Sequence, residues 1–300
     1  MSMQSPKHHA ALVGPRGIGQ LFGAALRHYR MDFGFLLTAS ICVLVPYFVL
    51  DAIFNANSAK ILAFDFSHLT HVTSLTQLAA MEQHAGITGP SPVSWVLSLL
   101  NAVLVTPLLY GIIVHMVVRR NMGGSSVSMP NAFSHAFHRV GAAALAVLWA
   151  DILKFFTVIA GGFIIGLAGA IVTAAAGSSV WSTVVAGILA AALLCCVIVV
   201  AVKLAFVVPV AYEENLRTSQ SARRSAQLTK GQLWRTLVFM LLTVVLPGAI
   251  RIVISALIAS VTQNAWVILV IIDLVQLFLV PFTLLAMSVL YVDLRIRAAS

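Results

Sequence analysis

The chain reads WSTVVAGILAAALLCCVIVVAVKLAFVVPVA at residues 181–211, an apolar run whose only charged residue is Lys203. About 20 apolar residues in a helix cross the roughly 30 Å hydrocarbon core of a bilayer. Backbone polar groups in lipid must be satisfied within their own segment, so such a run is most simply a helix. The run therefore predicts a membrane-spanning helix and points to the class of the whole chain.

Five further apolar runs occupy much of the remaining sequence. Of 300 residues 60% are apolar and 9% charged, and the mean hydropathy is +1.01. Soluble domains carry about 25% charged residues, and these runs do not alternate as β-barrel strands do. We therefore predict an all-α polytopic membrane protein, a bundle of six transmembrane helices at about 33–54, 95–118, 140–173, 181–211, 236–260 and 266–292.

These spans divide the chain into an N-terminal segment at 1–32, a transmembrane domain at 33–292 and a short tail at 293–300. The third run is too long for one perpendicular crossing. It either tilts, projects into the cytoplasm or breaks at Gly161-Gly162. The first 30 residues lack an apolar core followed by a cleavage site, so we expect the first span to act as an uncleaved anchor.

The distribution of Lys and Arg predicts the orientation. In a six-span layout nearly all cations outside the runs fall on one side, and the opposite side carries Lys60. Under the positive-inside rule both termini are then cytoplasmic. The net charge of +9 mostly reflects this topology, and no base-reading fold accompanies it, so no nucleic-acid partner is expected. The cations of the predicted cytoplasmic side are Lys7, Arg16, Arg27, Arg30, Arg119, Arg120, Arg139, Arg217, Arg223, Arg224, Lys230, Arg235, Arg295 and Arg297.

Among the ionisable residues within the runs, we single out Asp151, Lys154, Lys203, Arg251 and Asp273. Such residues are costly in lipid, and each is a functional-site hypothesis. Counting along antiparallel helices puts Arg251 and Asp273 at similar depth, which predicts an ion pair. Asp151 and Lys203 are also close in depth, with Lys154 one turn from Asp151. One interpretation is a polar pathway for a proton, ion or charged substrate; the other is interhelical ion pairs that fix helix register.

Span three also carries small residues at four-residue spacing, namely Gly162, Gly166, Ala170 and Ala174. This pattern predicts a face for close helix packing, either within the chain or against a second copy.

The two longest polar connections lie at 55–94 and 212–235. Ser67–His84 in the first could form an amphipathic interfacial helix, and Ser219–Leu228 in the second reads as a short helix that ends before Gly231. The second connection holds a basic set that could contact anionic headgroups or dock a cytoplasmic protein partner, with Trp as an interfacial anchor. Its members are Arg217, Arg223, Arg224, Lys230, Trp234 and Arg235.

The sequence shows no recognisable reaction centre. The acidic residues number nine, and the adjacent Glu213 and Glu214 point about 100° apart on a helix. Neither a HExxH zinc arrangement nor a GxSxG elbow occurs. His135 and His138 share a helical face and could bind a metal, although a solvated interfacial face is the simpler interpretation. We therefore predict no enzyme, no cofactor and no resident metal.

Three patches of the sequence form a recognisable set. They are IGQLF with ALRHYR at 18–22 and 25–30, PVAYE with SARRSAQLTKG and WR at 209–213, 221–231 and 234–235, and LYVDLR at 290–295. These patches resemble the membrane-domain family of bacterial glycerophosphodiester phosphodiesterases, and the second patch is the most specific.

This resemblance implies a six-span protein of the bacterial cytoplasmic membrane and carries over little chemistry. In the fused relatives the phosphodiesterase activity resides in a separate soluble barrel, for which this chain has no room. His138-Arg139 is present, but no Glu-x-Asp partner follows it. We expect a non-catalytic membrane module that organises lipids or partner proteins. The alternative is a small-solute or ion transporter, or a permease subunit, with a polar path inside the membrane.

Overall fold

The computed structural model describes residues 17–54, 92–121, 127–176, 180–262 and 264–299. Within these residues 93% of positions are helical and no strand occurs. The helices are α1 Ile18–Met31, α2 Phe33–Phe54, α3 Pro92–Leu100, α4 Thr106–Asn121, α5 Met129–Ala176, α6 Val180–Lys203, α7 Val207–Glu213, α8 Thr218–Thr229, α9 Leu233–Met240, α10 Leu246–Val261 and α11 Ala265–Ala299. Two π-helical turns, π1 at Asn101–Val105 and π2 at Leu241–Val245, join α3 to α4 and α9 to α10. The interfacial helix predicted at Ser67–His84 lies outside the described residues.

Six helical segments are long and apolar enough to cross a membrane, which confirms the predicted all-α, six-span class. They are Phe33–Phe54, Pro92–Asn121, Met129–Val172, Gly187–Glu213, Leu233–Ile258 and Trp266–Ala298.

Helix α5 is continuous through Gly161-Gly162, so the break predicted as one option does not occur. Its 48 residues give a length of about 70 Å at the α-helical rise, more than twice the hydrocarbon thickness. Of the three options, tilting and projection into the cytoplasm therefore remain predictions.

The chain divides into two compact units, one formed by Met1–Val140 with Val238–Ser300 and the other by Gly141–Leu237. In the first unit, α4 and α11 form the centre, and every residue of α4 from Pro107 to Val118 is buried. Helix α1 lies on α11, where the rings of Phe22 and Tyr29 meet the ring of Phe282 edge-on. The segment before the first span thus contains a separate helix that packs on the last one.

In the second unit, α8 packs against α6 and α7. Residues 204–206 interrupt the helix between α6 and α7, because Pro209 lacks an N–H donor and its ring crowds the carbonyl of residue 205. The short helix predicted at Ser219–Leu228 is confirmed as Thr218–Thr229. It ends before Gly231, whose φ of 78° is one that glycine adopts without strain.

At Gly162 and Gly166 the predicted small-residue face makes no close contact within the chain. A Cβ added at Gly162 or Gly166 would meet nothing within 4 Å in the part of the chain that the structure describes. Helix α6 instead approaches Gly161, where a Cβ would overlap the side chain of Leu193. Each residue turns a helix by 100°, so a shift of one position moves the contact to a different face. The side chain of Ala174 lies outside those described.

Candidate functional site

The exposed surface of α8 and the turn that follows it carries much of the predicted basic set. Arg217 precedes α8, Arg223 lies in its middle and Lys230 follows its last residue. All three side chains are exposed, and Trp234 is 76% exposed. The opposite side of α8 is buried through Ser221, Ala222, Ser225, Leu228 and Thr229. Helix α8 is therefore amphipathic, with one side packed on its own unit and a cationic side turned outward.

Arg224 and Arg235 differ from the other four members of the set. The Nε of Arg224 donates a hydrogen bond to Oε2 of Glu214, 2.8 Å away, and Glu214 is only 13% exposed. This pair ties α8 to the residue that follows α7. Arg235 is half-buried and has contacts of its own. The outward-facing set, here called the α8 basic surface, therefore consists of Arg217, Arg223, Lys230 and Trp234.

The charges of span three form a pair within one helix. The Nζ of Lys154 donates to Oδ1 of Asp151 at 2.9 Å, and both side chains are more than 40% exposed. The interhelical pair of Asp151 with Lys203, one of the sequence interpretations, does not form among the described residues. Lys203 ends α6 with its side chain exposed. Asp151 thus pairs with Lys154, which lies one turn away on the same helix.

Arg251 and Asp273 are close enough to interact electrostatically, but no ion pair within 4 Å joins them among the described side chains. Arg251 is exposed, whereas Asp273 is half-buried and also interacts with Asp51. The similar depth predicted from the sequence agrees with this proximity of the two residues. The direct pair predicted from depth alone is wrong, because depth does not specify the direction in which each side chain projects.

Asp273 belongs to a polar cluster that the sequence did not reveal. It includes Asp51 and Tyr47 from α2 and Asn101 from π1. Tyr47 interacts with Asn101 and with both carboxylates, and the Oγ1 of Thr106 donates to Oδ1 of Asn101 at 3.1 Å. A π-helical turn frequently marks a functional position in a helix. Asp273 was a candidate from the sequence, whereas Asp51, near the end of the first span, was not singled out.

His135 and His138 are turned apart by the fold. His138 is exposed, and its Nδ1 lies 2.8 Å from the carbonyl oxygen of Ser134. His135 instead stacks on His115 of α4, with ring centroids 3.9 Å apart. His135 and His138 therefore do not form the metal-binding pair that their helical spacing suggested. His135 pairs instead with His115 of another helix.

A further set of contacts joins α1, and the residue between α1 and α2, to α4 and α11. Asp32, between these helices, forms a salt bridge with Arg120 at the end of α4, and Nδ1 of His28 lies 3.9 Å from it. The hydroxyl of Tyr29 donates to the carbonyl oxygen of Phe278 at 3.1 Å. Burial raises the pKa of Tyr29 above its usual value of 10.0. This group holds α1 against α4 and α11.

Comparisons with known proteins agree with this architecture. No curated protein and no solved structure matches the chain. A family model, described as the membrane domain of glycerophosphoryl diester phosphodiesterase, matches residues 171–299. The second and third patches of the resemblance fall within the match, and the patch at 18–30 precedes it. The match and the six apolar helices show a multi-pass membrane protein. No catalytic domain is evident in the matched residues. The resemblance to this membrane-domain family is thus confirmed over residues 171–299, which are less than half of the chain.

Proposed function

We propose that this protein is a non-catalytic module of the bacterial cytoplasmic membrane that gathers anionic lipids at its α8 basic surface. Both termini and this surface would lie on the cytoplasmic side, in keeping with the distribution of Lys and Arg. The observation that supports the proposal is the two-sided nature of α8. One side is packed in its unit, and Arg217, Arg223, Lys230 and Trp234 are exposed on the other.

The expected energy is large enough to measure. A cation near an anionic membrane surface contributes about 1 kcal/mol, so three cations contribute about 3 kcal/mol, or roughly a hundredfold enrichment. Trp234 would place its ring at the headgroup level, as interfacial tryptophans do. Arg224 would add little, because Glu214 already neutralises it.

The experiment is lipid analysis by native mass spectrometry after transfer into nanodiscs that contain phosphatidylcholine and phosphatidylglycerol. We expect the wild-type protein to retain phosphatidylglycerol selectively. The triple variant Arg217→Gln, Arg223→Gln, Lys230→Gln should lose that selectivity. The matched control is Gln227→Ala, since Gln227 is an exposed, uncharged residue of the same helix.

A variant with Arg217→Lys and Arg223→Lys should keep the selectivity, because the interaction depends on charge. Equal retention of both lipids by the wild-type protein would contradict the proposal. Copurification of a stoichiometric protein, lost in the triple variant, would replace lipid with a protein partner at the same surface.

A second candidate function, transport of a proton or a small cation, is favoured by the polar cluster of Tyr47, Asp51, Asn101 and Asp273. Ionisable residues in spans commonly mark ion pathways. Proteoliposomes with an internal pH indicator test this candidate under an imposed gradient. Flux that is abolished by Asp51→Asn and Asp273→Asn would support transport. Equal leakage of wild-type and empty liposomes would argue against proton transport.

A further inference from the structure

Helix α1 carries an open groove that belongs neither to the α8 basic surface nor to the polar cluster. Its volume is about 480 Å³, and it is lined by Gly23, Leu26, Arg27, Arg30 and Met31. These positions follow one another at spacings of three, one, three and one, so they share one face of the helix. All five are exposed, and α1 packs on α11 through its other side. The groove, here called the α1 groove, is therefore open to a ligand.

The α1 groove carries two positive charges that the protein does not neutralise. Among the described side chains, no ion pair or hydrogen bond joins Arg27 or Arg30 to another residue. The nearest acid along the chain, Asp32, forms its salt bridge with Arg120 instead. Arg27 and Arg30 are three residues apart in the helix, and Cβ atoms at this spacing lie about 5–6 Å from each other. Both guanidinium groups therefore reach a single anion.

We propose that the α1 groove binds the headgroup of a phosphomonoester lipid, with phosphatidic acid as the representative. A phosphomonoester carries a charge of about −1.5 to −2 at pH 7 and three strong acceptor oxygens. Two guanidinium groups match this charge, and their planar forks bind phosphate in a bidentate way. A phosphodiester headgroup such as that of phosphatidylglycerol carries one negative charge, so it is the weaker ligand. This lipid site is independent of the one proposed at the α8 basic surface.

The surroundings of the α1 groove favour a lipid over a soluble phosphate. Leu26 and Met31 are exposed beside the two arginines, and they offer an apolar contact to the glycerol and the upper acyl chains. Arg30 also precedes by three residues Phe33, where the first apolar segment begins. Three residues of chain span at most about 11 Å. Arg30 is therefore held close to the level of the lipid headgroups.

Gly23 leaves the space that a headgroup needs. A Cβ added at Gly23 would meet nothing within 4 Å in the described part of the chain, so a leucine there fills the groove without disturbing the packing of α1. Gly19 lies one turn earlier on the same helix and has equally open surroundings, but it does not line the groove. Gly23→Leu and Gly19→Leu are therefore a matched pair of variants that differ in whether the groove is filled.

The test is native mass spectrometry of the full chain in nanodiscs of phosphatidylcholine with equal small fractions of phosphatidic acid and phosphatidylglycerol. The measured quantity is the ratio of retained phosphatidic acid to retained phosphatidylglycerol. We expect a roughly fivefold excess for the wild-type protein, the effect of one further charge interaction at a membrane surface. The variant Arg27→Gln, Arg30→Gln should bring the ratio to about one. Arg27→Lys, Arg30→Lys should also lower it, because lysine lacks the planar fork.

The glycine pair and the α8 variant separate this site from other causes. Gly23→Leu should lower the ratio, whereas Gly19→Leu should keep it. The triple variant of the α8 basic surface should keep the preference for phosphatidic acid even where it retains less anionic lipid in total. Loss of the preference in that triple variant would overturn the proposal.

Three further results would also overturn it. The first is a ratio equal to that of the wild type in either Arg27→Gln, Arg30→Gln or Gly23→Leu. The second is displacement of phosphatidic acid by inorganic phosphate alone, which would assign the α1 groove to a soluble phosphate. The third is a stoichiometric protein that copurifies with the wild-type chain and is lost in the arginine variant.

Discussion

The hydroxyl of Ser225 on α8 donates a hydrogen bond to the carbonyl oxygen of Lys203, 2.7 Å away at the end of α6. The same hydroxyl accepts a hydrogen bond from the backbone N–H of Phe206 at 3.1 Å. Interruption of a helix leaves backbone donors and acceptors without helical partners, and these are costly when buried. Ser225 satisfies one of each at the break before Pro209, so a surface helix and a kink in a span depend on each other.

Ser225→Ala should therefore destabilise the protein. Removal of the hydroxyl leaves two backbone groups without this partner, which costs about 1–3 kcal/mol for a buried group. Thermal unfolding followed by circular dichroism in detergent should show a lower midpoint. Ser219→Ala, at an exposed position of the same helix, is the control and should unfold as the wild type does. Equal midpoints for the two variants would contradict this role of Ser225.

The adjacent residues Arg223 and Arg224 should respond in opposite ways to substitution. Arg224→Gln removes the hydrogen-bonded pair with Glu214 and should cost about 1 kcal/mol of unfolding free energy. Arg223→Gln should leave stability unchanged and reduce retention of phosphatidylglycerol. Unfolding and lipid analysis of the same preparations separate the two effects. Reduced lipid retention in Arg224→Gln at unchanged stability would show that Arg224 does not pair with Glu214 in the membrane.

Gly161 and Gly162 provide a matched test of helix packing in the second unit. Gly161→Val places its side chain against Leu193, whereas Gly162→Val meets open space. Both substitutions introduce the same β-branched residue into α5. We expect Gly161→Val to be less stable than Gly162→Val by about 1–3 kcal/mol, the usual cost of overpacking.

Chemical crosslinking should also show whether Gly162→Val disturbs a dimer, which would mean that the exposed small residues pack against a second copy.

The stability of the α1 region should fall at alkaline pH. The pKa of Tyr29 is raised in the folded protein, so its neutral form contributes stability that is fully present below pH 10. This contribution is lost as the pH rises above the unfolded-state pKa of about 10. In Tyr29→Phe the ring contacts remain, and the dependence on pH above 10 should be smaller. Identical alkaline profiles for the two proteins would contradict the assignment.

The sequence predicted the elements that depend on local composition. The apolar runs and the amphipathic pattern at Ser219–Leu228 predicted helices at the right places, because burial in lipid and helical periodicity are properties of short segments. Gly231 predicted the end of α8 for the same reason. The resemblance at residues 209–235 and 290–295 agreed with the family match.

The sequence could not predict which way the side chains of the spans point. Depth placed Arg251 near Asp273, but the rotation of each helix decides whether such residues touch. The π-helical turns at Asn101–Val105 and Leu241–Val245 alter that rotation, and no residue type in these turns predicts them. His115 and His135 come from different helices, so no helical spacing relates them. These contacts follow from tertiary packing, which periodicity does not encode.

Photocrosslinking in membranes would show whether the α8 basic surface binds anionic lipid. Membranes would contain phosphatidylglycerol or phosphatidylcholine with a photoactivatable group at the headgroup, and crosslinked peptides would be mapped by mass spectrometry. We expect phosphatidylglycerol to crosslink to residues 217–234 well above phosphatidylcholine, and high salt to reduce the difference because salt screens exposed charges. Equal crosslinking by the two lipids over these residues would contradict it.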